Sequence, residues 1–167
     1  LHNVNATSDD VSMNAQMFSN QENVGEAPVA EFAIFDFGGS WIYSDSVDAP
    51  AVGWQQTDFD DASWSYGVGE FGFGDGDEST LLDFGPDSNQ KTCTYYFRKD
   101  IVLTAIDEES LLTLDLVYDD GMVIYMNGQE VERVRMADGV VTHTTFATST
   151  VGNNAKISII IPSSYLV

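Results

Sequence analysis

The chain has 167 residues, a length that suits one domain with a tail and that buries roughly two-thirds of the unfolded surface. It carries 27 acidic residues against 6 basic ones, which gives a net charge of −21 at pH 7. Such a surface repels nucleic acid and anionic membranes, and no apolar run is long enough to span a bilayer. We therefore expect neither a nucleic-acid partner nor membrane insertion.

The excess of carboxylates leaves most of them without a cationic partner. Two interpretations stay open: a plainly solvated surface, or a surface suited to high salt or divalent cations. The single cysteine, Cys93, permits no internal disulfide. The chain begins at Leu1 without a signal-peptide pattern, which suggests a mature, processed or excised chain.

Residues 1–28 are rich in Asn, Ser, Asp and Gln and predict a polar N-terminal extension before a domain at residues 29–167. Asn5 begins an Asn-Ala-Thr sequon and is a candidate glycosylation site. Residues 11–17 alternate apolar and polar side chains, the period of a half-buried strand. Either this alternation is chance in a disordered tail, or the segment is a strand that pairs away from its sequence neighbours. Its apolar positions are Val11, Met13, Ala15 and Met17.

The domain begins with a predicted strand at Glu31–Phe37 and a second one at Trp41–Tyr43. Residues 44–64 predict irregular structure. Residues 66–79 contain five glycines and predict a long connection without regular structure.

The second half of the chain alternates β-rich runs with turn residues. Asn127-Gly128 between two such runs predicts a tight antiparallel hairpin. No segment has the 3.6-residue apolar stripe of a helix, so the pattern predicts an all-β antiparallel sandwich. Further extended segments are predicted at Thr92–Leu103, Leu111–Tyr118, Val140–Thr148 and Lys156–Ile161.

The residues that enzymes use for catalysis are scarce. The only histidines are His2 and His143, and no nucleophile or zinc motif is present. A Gly-x-Gly-x-x-Gly pattern at Gly67–Gly72 is followed by no helix, so it does not predict a nucleotide site. We expect no enzymatic activity.

Three loops cluster carboxylates beside flexible backbone, at residues 58–61, 75–78 and 119–121. Calcium takes six to eight oxygen ligands, often mixing carboxylates and carbonyls. Two interpretations stay open: polar turns in a very acidic protein, or calcium sites, with residues 75–78 as the stronger candidate. The candidate ligands are Asp75, Asp77, Glu78, Asp119 and Asp120.

Trp54, flanked by Gly53 and Gln55, is the tryptophan that we expect to be most exposed. An exposed indole can stack on a sugar ring, which makes Trp54 a candidate carbohydrate contact. The alternative for Trp54, and the expectation for Trp41 and Trp64, is core packing.

Four segments follow one another along the chain: Trp54–Trp64 with its Phe-Asp-Asp, Phe71–Thr80 with Gly-Asp-Gly-Asp-Glu, Tyr95–Lys99 and Asp119–Gly128. In this order they resemble galactose-binding-like jelly-roll modules, and the resemblance covers about residues 33–167. Such modules recur in large secreted or surface proteins of bacteria, so the resemblance implies an extracellular or cell-surface jelly-roll β-sandwich whose ligand is mostly unassigned. It also implies that Asp119 and Asp120 hold calcium, because distant relatives use this turn for that ion.

The resemblance breaks down at the C-terminus. In the family, the segment matching Ile157–Val167 is followed by a turn and two more strands, so the sandwich here lacks its last strands. Either the sequence is part of a longer chain, or another strand fills the gap, with residues 11–17 as the candidate. Insertion of that strand into a neighbouring copy is β-strand addition, and its repetition head-to-tail gives a filament.

These observations predict a non-enzymatic extracellular subunit with a structural or adhesive role. It assembles by donation of the N-terminal strand and is stabilised by calcium. The expected partners are further copies or neighbouring domains of a longer chain. The alternative is a carbohydrate-binding accessory module of a larger secreted protein, with glycans as ligands.

Overall fold

The computed structural model describes residues 2–6, 10–19, 31–74, 76–103, 110–152 and 155–166. These residues form twelve strands and one short 3-10 turn at Ser163–Tyr165. Among them, no helix has the length and apolar character needed to cross a membrane. The strands are β1 His2–Ala6, β2 Asp10–Ser19, β3 Glu31–Phe35, β4 Ser40–Ser44, β5 Ser65–Val68, β6 Phe71–Gly72, β7 Thr80–Leu81, β8 Tyr95–Lys99, β9 Ser110–Tyr118, β10 Met122–Met126, β11 Gln129–Val134 and β12 Ala155–Pro162.

The strands form two six-stranded sheets. Sheet A has the order β11-β10-β1-β8-β4-β5, and sheet B has the order β12-β9-β2-β6-β7, with β3 also paired to β2. All pairs are antiparallel except the short β6–β7 pair. The expectation of an all-β, antiparallel architecture is confirmed.

One hydrophobic core draws side chains from both sheets. Phe71 of sheet B packs against Phe97 of sheet A with ring centroids 5.0 Å apart, and it also contacts Tyr43 of sheet A at 5.3 Å. Leu112, Leu116 and other residues of β9 belong to the same buried cluster. Because these rings reach from one sheet to the other, the two sheets share their apolar faces.

The hairpin predicted at Asn127-Gly128 is confirmed. Strands β10 and β11 pair antiparallel across this turn, and both turn residues have positive φ, 50° for Asn127 and 81° for Gly128. These values are what a two-residue hairpin turn requires. The Asn127 side-chain amide also donates to the Tyr165 carbonyl at 2.9 Å, which attaches the C-terminal turn to the hairpin.

The prediction that residues 66–79 lack regular structure is wrong. Residues 66–68 belong to β5 and residues 71–72 form β6, whereas residues 73, 74 and 76–79 lie outside the strands. The reason is close packing at Gly67, where an added Cβ would lie 2.8 Å from the Phe71 ring and 2.7 Å from the Thr80 hydroxyl. The glycine permits β5 to approach its neighbours, as strand glycines commonly do.

The strand predicted at Val140–Thr148 is absent, and these residues form turns and irregular structure. Threonine hydroxyls there bond the backbone locally, which competes with a sheet ladder. The Thr142 N–H donates to the Thr145 hydroxyl at 2.9 Å, and the Thr145 N–H donates to the Thr142 carbonyl at 3.0 Å. The strand predicted at Thr92–Leu103 is present only as β8, Tyr95–Lys99.

Candidate functional site

Strand β2 occupies an interior place in sheet B. On one side it pairs with β9, and on the other side it pairs with β6 near its start and with β3 near its end. The four apolar positions of the predicted assembly strand are in register with alternate residues of β9. The pairs are Val11 with Tyr118, Met13 with Leu116, Ala15 with Leu114 and Met17 with Leu112.

The β9 residues of these pairs are core residues. Leu112 is fully buried, and Leu114, Leu116 and Tyr118 are at most 6% exposed. Directly paired residues of antiparallel strands lie on the same face of a sheet. The register therefore puts the four alternating positions of β2 on the core face. A strand exists where the alternation predicted one, and here it pairs within its own chain; its donation to a neighbouring copy stays a prediction.

Strand β1 lies between β8 and β10 in sheet A, a place that the sequence did not predict. Val4 is in register with Phe97 on one side and with Ile124 on the other, and both partners are fully buried. The only signal was a two-residue alternation over five residues, with Asn3 and Asn5 between His2, Val4 and Ala6. An alternation over only five residues also arises by chance in a polar segment, so it does not by itself predict a strand.

Each N-terminal strand joins two parts of its sheet. Among the described strands, β1 alone connects β10 to β8, and β2 alone connects β9 to β6 and β3. Without them, sheet A separates into β11-β10 and β8-β4-β5, and sheet B loses its continuity between β9 and β6. The two strands therefore occupy slots whose walls are unpaired strand edges when the slots are empty.

Asn5, the predicted glycosylation site, is an interior position of β1. It is in register with Tyr96 of β8 and Val123 of β10, and both of these residues are buried. Glycosylation at Asn5 stays a prediction.

The loop after β4 is held against sheet A by Arg98, a residue whose role the sequence did not predict. Arg98 is 2% exposed, and its Nε donates to the Asp61 carboxylate at 2.7 Å. Its Nη1 donates to the carbonyls of Trp54 and Gln56. The guanidinium also lies 5.2 Å from the centre of the Phe59 ring. A buried cation thus organises residues 54–61, with the carboxylate of the Phe-Asp-Asp motif as its ion-pair partner.

Trp54 is half-buried on the face of sheet A that points away from the core. Its ring contacts Tyr96 and Tyr125 edge-on, at centroid distances of 4.8 Å and 5.5 Å. Trp64 is also half-buried and contacts Tyr96 at 6.2 Å, whereas Trp41 is buried in the core. The indole that we expected to be most exposed is therefore packed against two tyrosines.

His143 attaches the threonine-rich loop to the sheet. Its Nδ1 lies 3.1 Å from the Tyr96 hydroxyl, and its Nε2 lies 3.0 Å from the Val47 carbonyl. Both distances suit the neutral tautomer, in which Nε2–H donates to Val47 and Nδ1 accepts from Tyr96. Burial, with smaller effects from Cys93 and Tyr125, raises the pKa of Tyr96 to about 12. This arrangement connects the loop to the sheet and suits a structural role for His143.

The candidate calcium ligands fall into two groups. Asp75 lies outside the described residues. Asp77 is exposed, and the Glu78 carboxylate accepts from the Gly76 N–H at 2.9 Å within the same loop. In the second group, Asp119 is buried, and Asp120 accepts from the Val151 N–H at 2.8 Å.

No cluster of three or more potential metal-ligating side chains occurs in the part of the chain that the structure describes. That part does not include Asp75, which belongs to the stronger candidate loop. Calcium binding stays a prediction. Asp120 also lines a cavity of about 740 Å³ together with Phe73, Cys93 and His143.

Compared with known proteins, the chain matches no protein-family model, no curated protein and no solved structure. The resemblance to galactose-binding-like modules therefore stays a prediction from the motifs.

Proposed function

We propose that this protein is a non-enzymatic, extracellular structural or adhesive subunit whose copies join head-to-tail by exchange of the N-terminal strands β1 and β2. The observation that carries the proposal is the position of these strands. The first two strands of the chain hold interior places in both sheets, so a neighbouring copy that supplied them would make every pairing that the chain makes with itself.

A chain whose slots for β1 and β2 are empty is expected to be unstable. Each copy therefore needs a strand donor, which is either itself or a neighbour. Withdrawing β1 and β2 unpairs the inner edges of β8, β10 and β9 and uncovers core residues such as Leu112 and Ile124. Buried backbone groups that lose their partners destabilise the fold, and unpaired edges bind other strands. The slots must therefore be filled, either by the chain itself or by another copy.

The composition of the N-terminal segment suits this task. Residues 1–8 and 11–21 contain no Asp, Glu, Lys or Arg, although the chain has 27 acidic and 6 basic residues, and Asp10, the first residue of β2, is the one charged residue of β1 and β2. Charged side chains are almost never fully buried without a partner. Strands with a single charged residue, at the start of β2, are able to enter an apolar slot of another copy with little cost of desolvating charge.

The connection to the rest of the chain permits exchange. Residues 20–30 link β2 to β3, and Phe18 and Glu31 are directly paired across the two strands. The paired ends of this link lie close together when the chain is closed on itself, whereas a fully extended link of eleven residues would reach about 40 Å. Closed and exchanged forms share the same strand contacts, so protein concentration and the linker decide between them.

We also propose that the two sheets form a jelly-roll β-sandwich of the galactose-binding-like kind. This is supported by the four motifs and by the shared core, in which Phe71 and Phe97 meet between the sheets. Residues of different motifs contribute to this fold. Asp61 of the first motif forms an ion pair with Arg98 of the third, and Asn127-Gly128 of the fourth forms the hairpin turn. The lack of a catalytic role rests on the scarcity of histidines and on the structural contacts of His143.

Calcium belongs to the proposal as a stabilising ion at Asp119 and Asp120 or at Asp75, Asp77 and Glu78. Its support is the chemistry of these loops and the −21 charge of the chain. Calcium bound only to the folded state would raise stability in proportion to the logarithm of its concentration.

The carbohydrate-binding alternative depends on Trp54. It has less support than strand exchange, because the Trp54 ring is half-buried against Tyr96 and Tyr125. A glycan array with the wild type and Trp54→Ala tests it: glycan binding that is lost in the variant would favour the alternative.

A disulfide test distinguishes self-pairing from exchange. Gln16 and Thr113 are directly opposite in the β2–β9 register, at a distance that a disulfide is able to span. In a Cys93→Ser background, one sample carries Gln16→Cys and another carries Thr113→Cys. The two are refolded together at high concentration and oxidised. Strand exchange predicts a disulfide-linked pair of the two variants.

The double variant Gln16→Cys/Thr113→Cys and a mismatched pair are the controls. Thr150→Cys, in an exposed loop, replaces Thr113→Cys in the mismatched pair and should give no cross-link. If the mixed singles never cross-link while the dilute double variant closes as a monomer, the strands stay in their own chain and the proposal is wrong. Electron microscopy of the uncross-linked protein then tests for filaments directly.

A further inference from the structure

The negative charge is distributed unevenly along the chain. All 27 acidic residues lie between Asp9 and Asp138, and residues 139–167 contain none. Lys156 is the only Lys or Arg of this C-terminal stretch. Strand β12 lies within it, so this eight-residue strand of sheet B carries no acidic side chain in a chain of net charge −21.

Strand β12 is an edge strand. It pairs with β9 along its full length, from Ala155 to Pro162, and with no other strand among the described residues. Ile159 and Ile161 are buried, whereas the alternate residues of the strand are exposed, and Ile160 is 61% exposed. An eight-residue edge with an exposed isoleucine is a template for pairing with another strand, and Lys156 is its only charged side chain.

The other sheet edges are less suited to pairing. The edge strand β11 carries Glu130 and Glu132, and β3 begins with Glu31. Strands β5 and β7 have only four and two residues. Among the described strands, β12 is therefore the longest edge without a carboxylate.

We propose that β12 is a second assembly surface, where a second copy of this chain pairs its own β12 antiparallel across a two-fold axis. Such a contact extends sheet B from one copy into the next and uses the same surface on both. A register centred on Ser158 or Ile159 places Lys156 opposite Ile160 or Pro162 of the second copy. The two lysines then lie at opposite ends of the contact and do not repel each other across it.

The occupant is another copy because an edge strand is able to pair with its own equivalent across a two-fold axis. Two chains of −21 repel each other overall, and this contact places two carboxylate-free strands against each other. The neighbouring carboxylate of Asp115, on β9, accepts a hydrogen bond from the Ser158 hydroxyl. The contact is independent of strand exchange, because β12 lies on the far side of β9 from β2. In a filament it would join neighbouring filaments side by side.

The test uses the full chain with β2 locked in place by Gln16→Cys/Thr113→Cys in the Cys93→Ser background, so that strand exchange cannot contribute. Sedimentation equilibrium measures dimerisation at 0.15 M and 1 M NaCl. We expect a reversible dimer that is tighter at 1 M, where the repulsion is screened. Ile160→Lys should weaken it at least tenfold. The matched control Val102→Lys adds the same charge at a residue that is 87% exposed outside the strands and should change it less than twofold.

Amide hydrogen exchange locates the dimer contact without any substitution on the surface of β12. In the locked protein, amide exchange of residues 155–162 should slow as the concentration rises, while exchange in β5 and β11 stays unchanged. The proposal is overturned if the locked protein remains monomeric at both salt concentrations. It is also overturned if Ile160→Lys and Val102→Lys have equal effects, or if the concentration-dependent protection lies elsewhere. Because the lock removes strand exchange, none of these outcomes depends on the proposed function.

Discussion

The Nε atom of Arg98 lies 2.7 Å from the Oδ2 atom of Asp61, and this ion pair fastens an acidic loop to the centre of sheet A. Arg98 is almost completely buried, whereas the Asp61 side chain keeps a quarter of its surface exposed. The two residues are 37 positions apart, in segments that each belong to one of the motifs of the suspected family. Arg98, one of only six Lys and Arg residues in the chain, therefore serves to hold this loop on the sheet.

We expect Asp61→Asn to destabilise the protein by about 2–4 kcal/mol. The substitution leaves the Arg98 guanidinium buried without its carboxylate, and the cost is below that of a fully buried pair because Asp61 is partly exposed. Urea unfolding measures the change. Asp58→Asn removes the same charge from an exposed position of the same loop and should stay within about 0.5 kcal/mol of the wild type. Equal effects of the two substitutions would show that Arg98 does not depend on Asp61.

The register of β2 predicts that a glutamate destabilises the protein far more at one position of the strand than at the next. Met17 is opposite the buried Leu112, and Gln16 is opposite the half-buried Thr113. Met17→Glu should cost more than about 4 kcal/mol and abolish assembly, because it puts an unpaired carboxylate on the core face. Gln16→Glu introduces the same side chain and should change stability by less than about 1 kcal/mol. Thermal unfolding and light scattering measure both, and a reversed order would mean that the register is shifted by one residue.

The raised pKa of Tyr96 predicts a loss of stability at high pH. The unfolded tyrosine loses its proton near pH 10, whereas the folded one keeps it to about 12. Between these values the folded state binds more protons, so stability is complete below pH 10 and falls as the pH rises towards 12. Tyr96→Phe should lower stability at neutral pH by about 1 kcal/mol, through the lost hydrogen bond to His143, and should make the alkaline decline shallower.

Denaturant unfolding between pH 8 and 12 gives the comparison, and absorbance near 295 nm follows tyrosinate formation. Tyr43 and Tyr125 also have raised pKa values, mainly through burial, so some decline remains in the variant. An identical slope in the wild type and Tyr96→Phe would contradict the assignment to Tyr96.

Calcium should raise the melting temperature more than sodium does at the same ionic strength. At 100 times its dissociation constant, an ion that binds only the folded state adds about 2.7 kcal/mol, or about 5–10 °C for a chain of this length. Sodium alone is also expected to stabilise the protein, because it screens the −21 charge. The calcium-specific part is therefore the difference between the two salts.

Substitutions assign the calcium effect to a loop. Asp120→Asn keeps an oxygen that accepts from the Val151 N–H but removes the charge, and Asp77→Asn with Glu78→Gln does the same for the other loop. We expect one of these variants to lose the calcium-specific increase. If calcium and sodium have the same effect on the wild type at matched ionic strength, the calcium prediction is wrong.

The sequence alone determined the features that depend on local conformational preferences. The Asn127-Gly128 hairpin was predictable because both turn residues must take positive φ, which few residue pairs do. The strands β9 and β12, and the strand within residues 11–17, were predictable because alternation along a strand records which face is buried. The all-β class followed from the absence of any helical stripe.

The tertiary structure alone decided which segments meet. The periodicity of a strand does not identify the strands that pair with it. The sequence therefore did not predict that β2 lies between β9 and β6, or that β1 lies between β10 and β8. The pairing of Arg98 with Asp61 and the packing of Trp54 against Tyr96 join residues more than 30 positions apart. The threonine-rich segment at residues 140–148 looked like a strand because β-branched residues favour strands. Its hydroxyls instead bond the local backbone, and the contacts of His143 with Tyr96 and Val47 hold it as a loop.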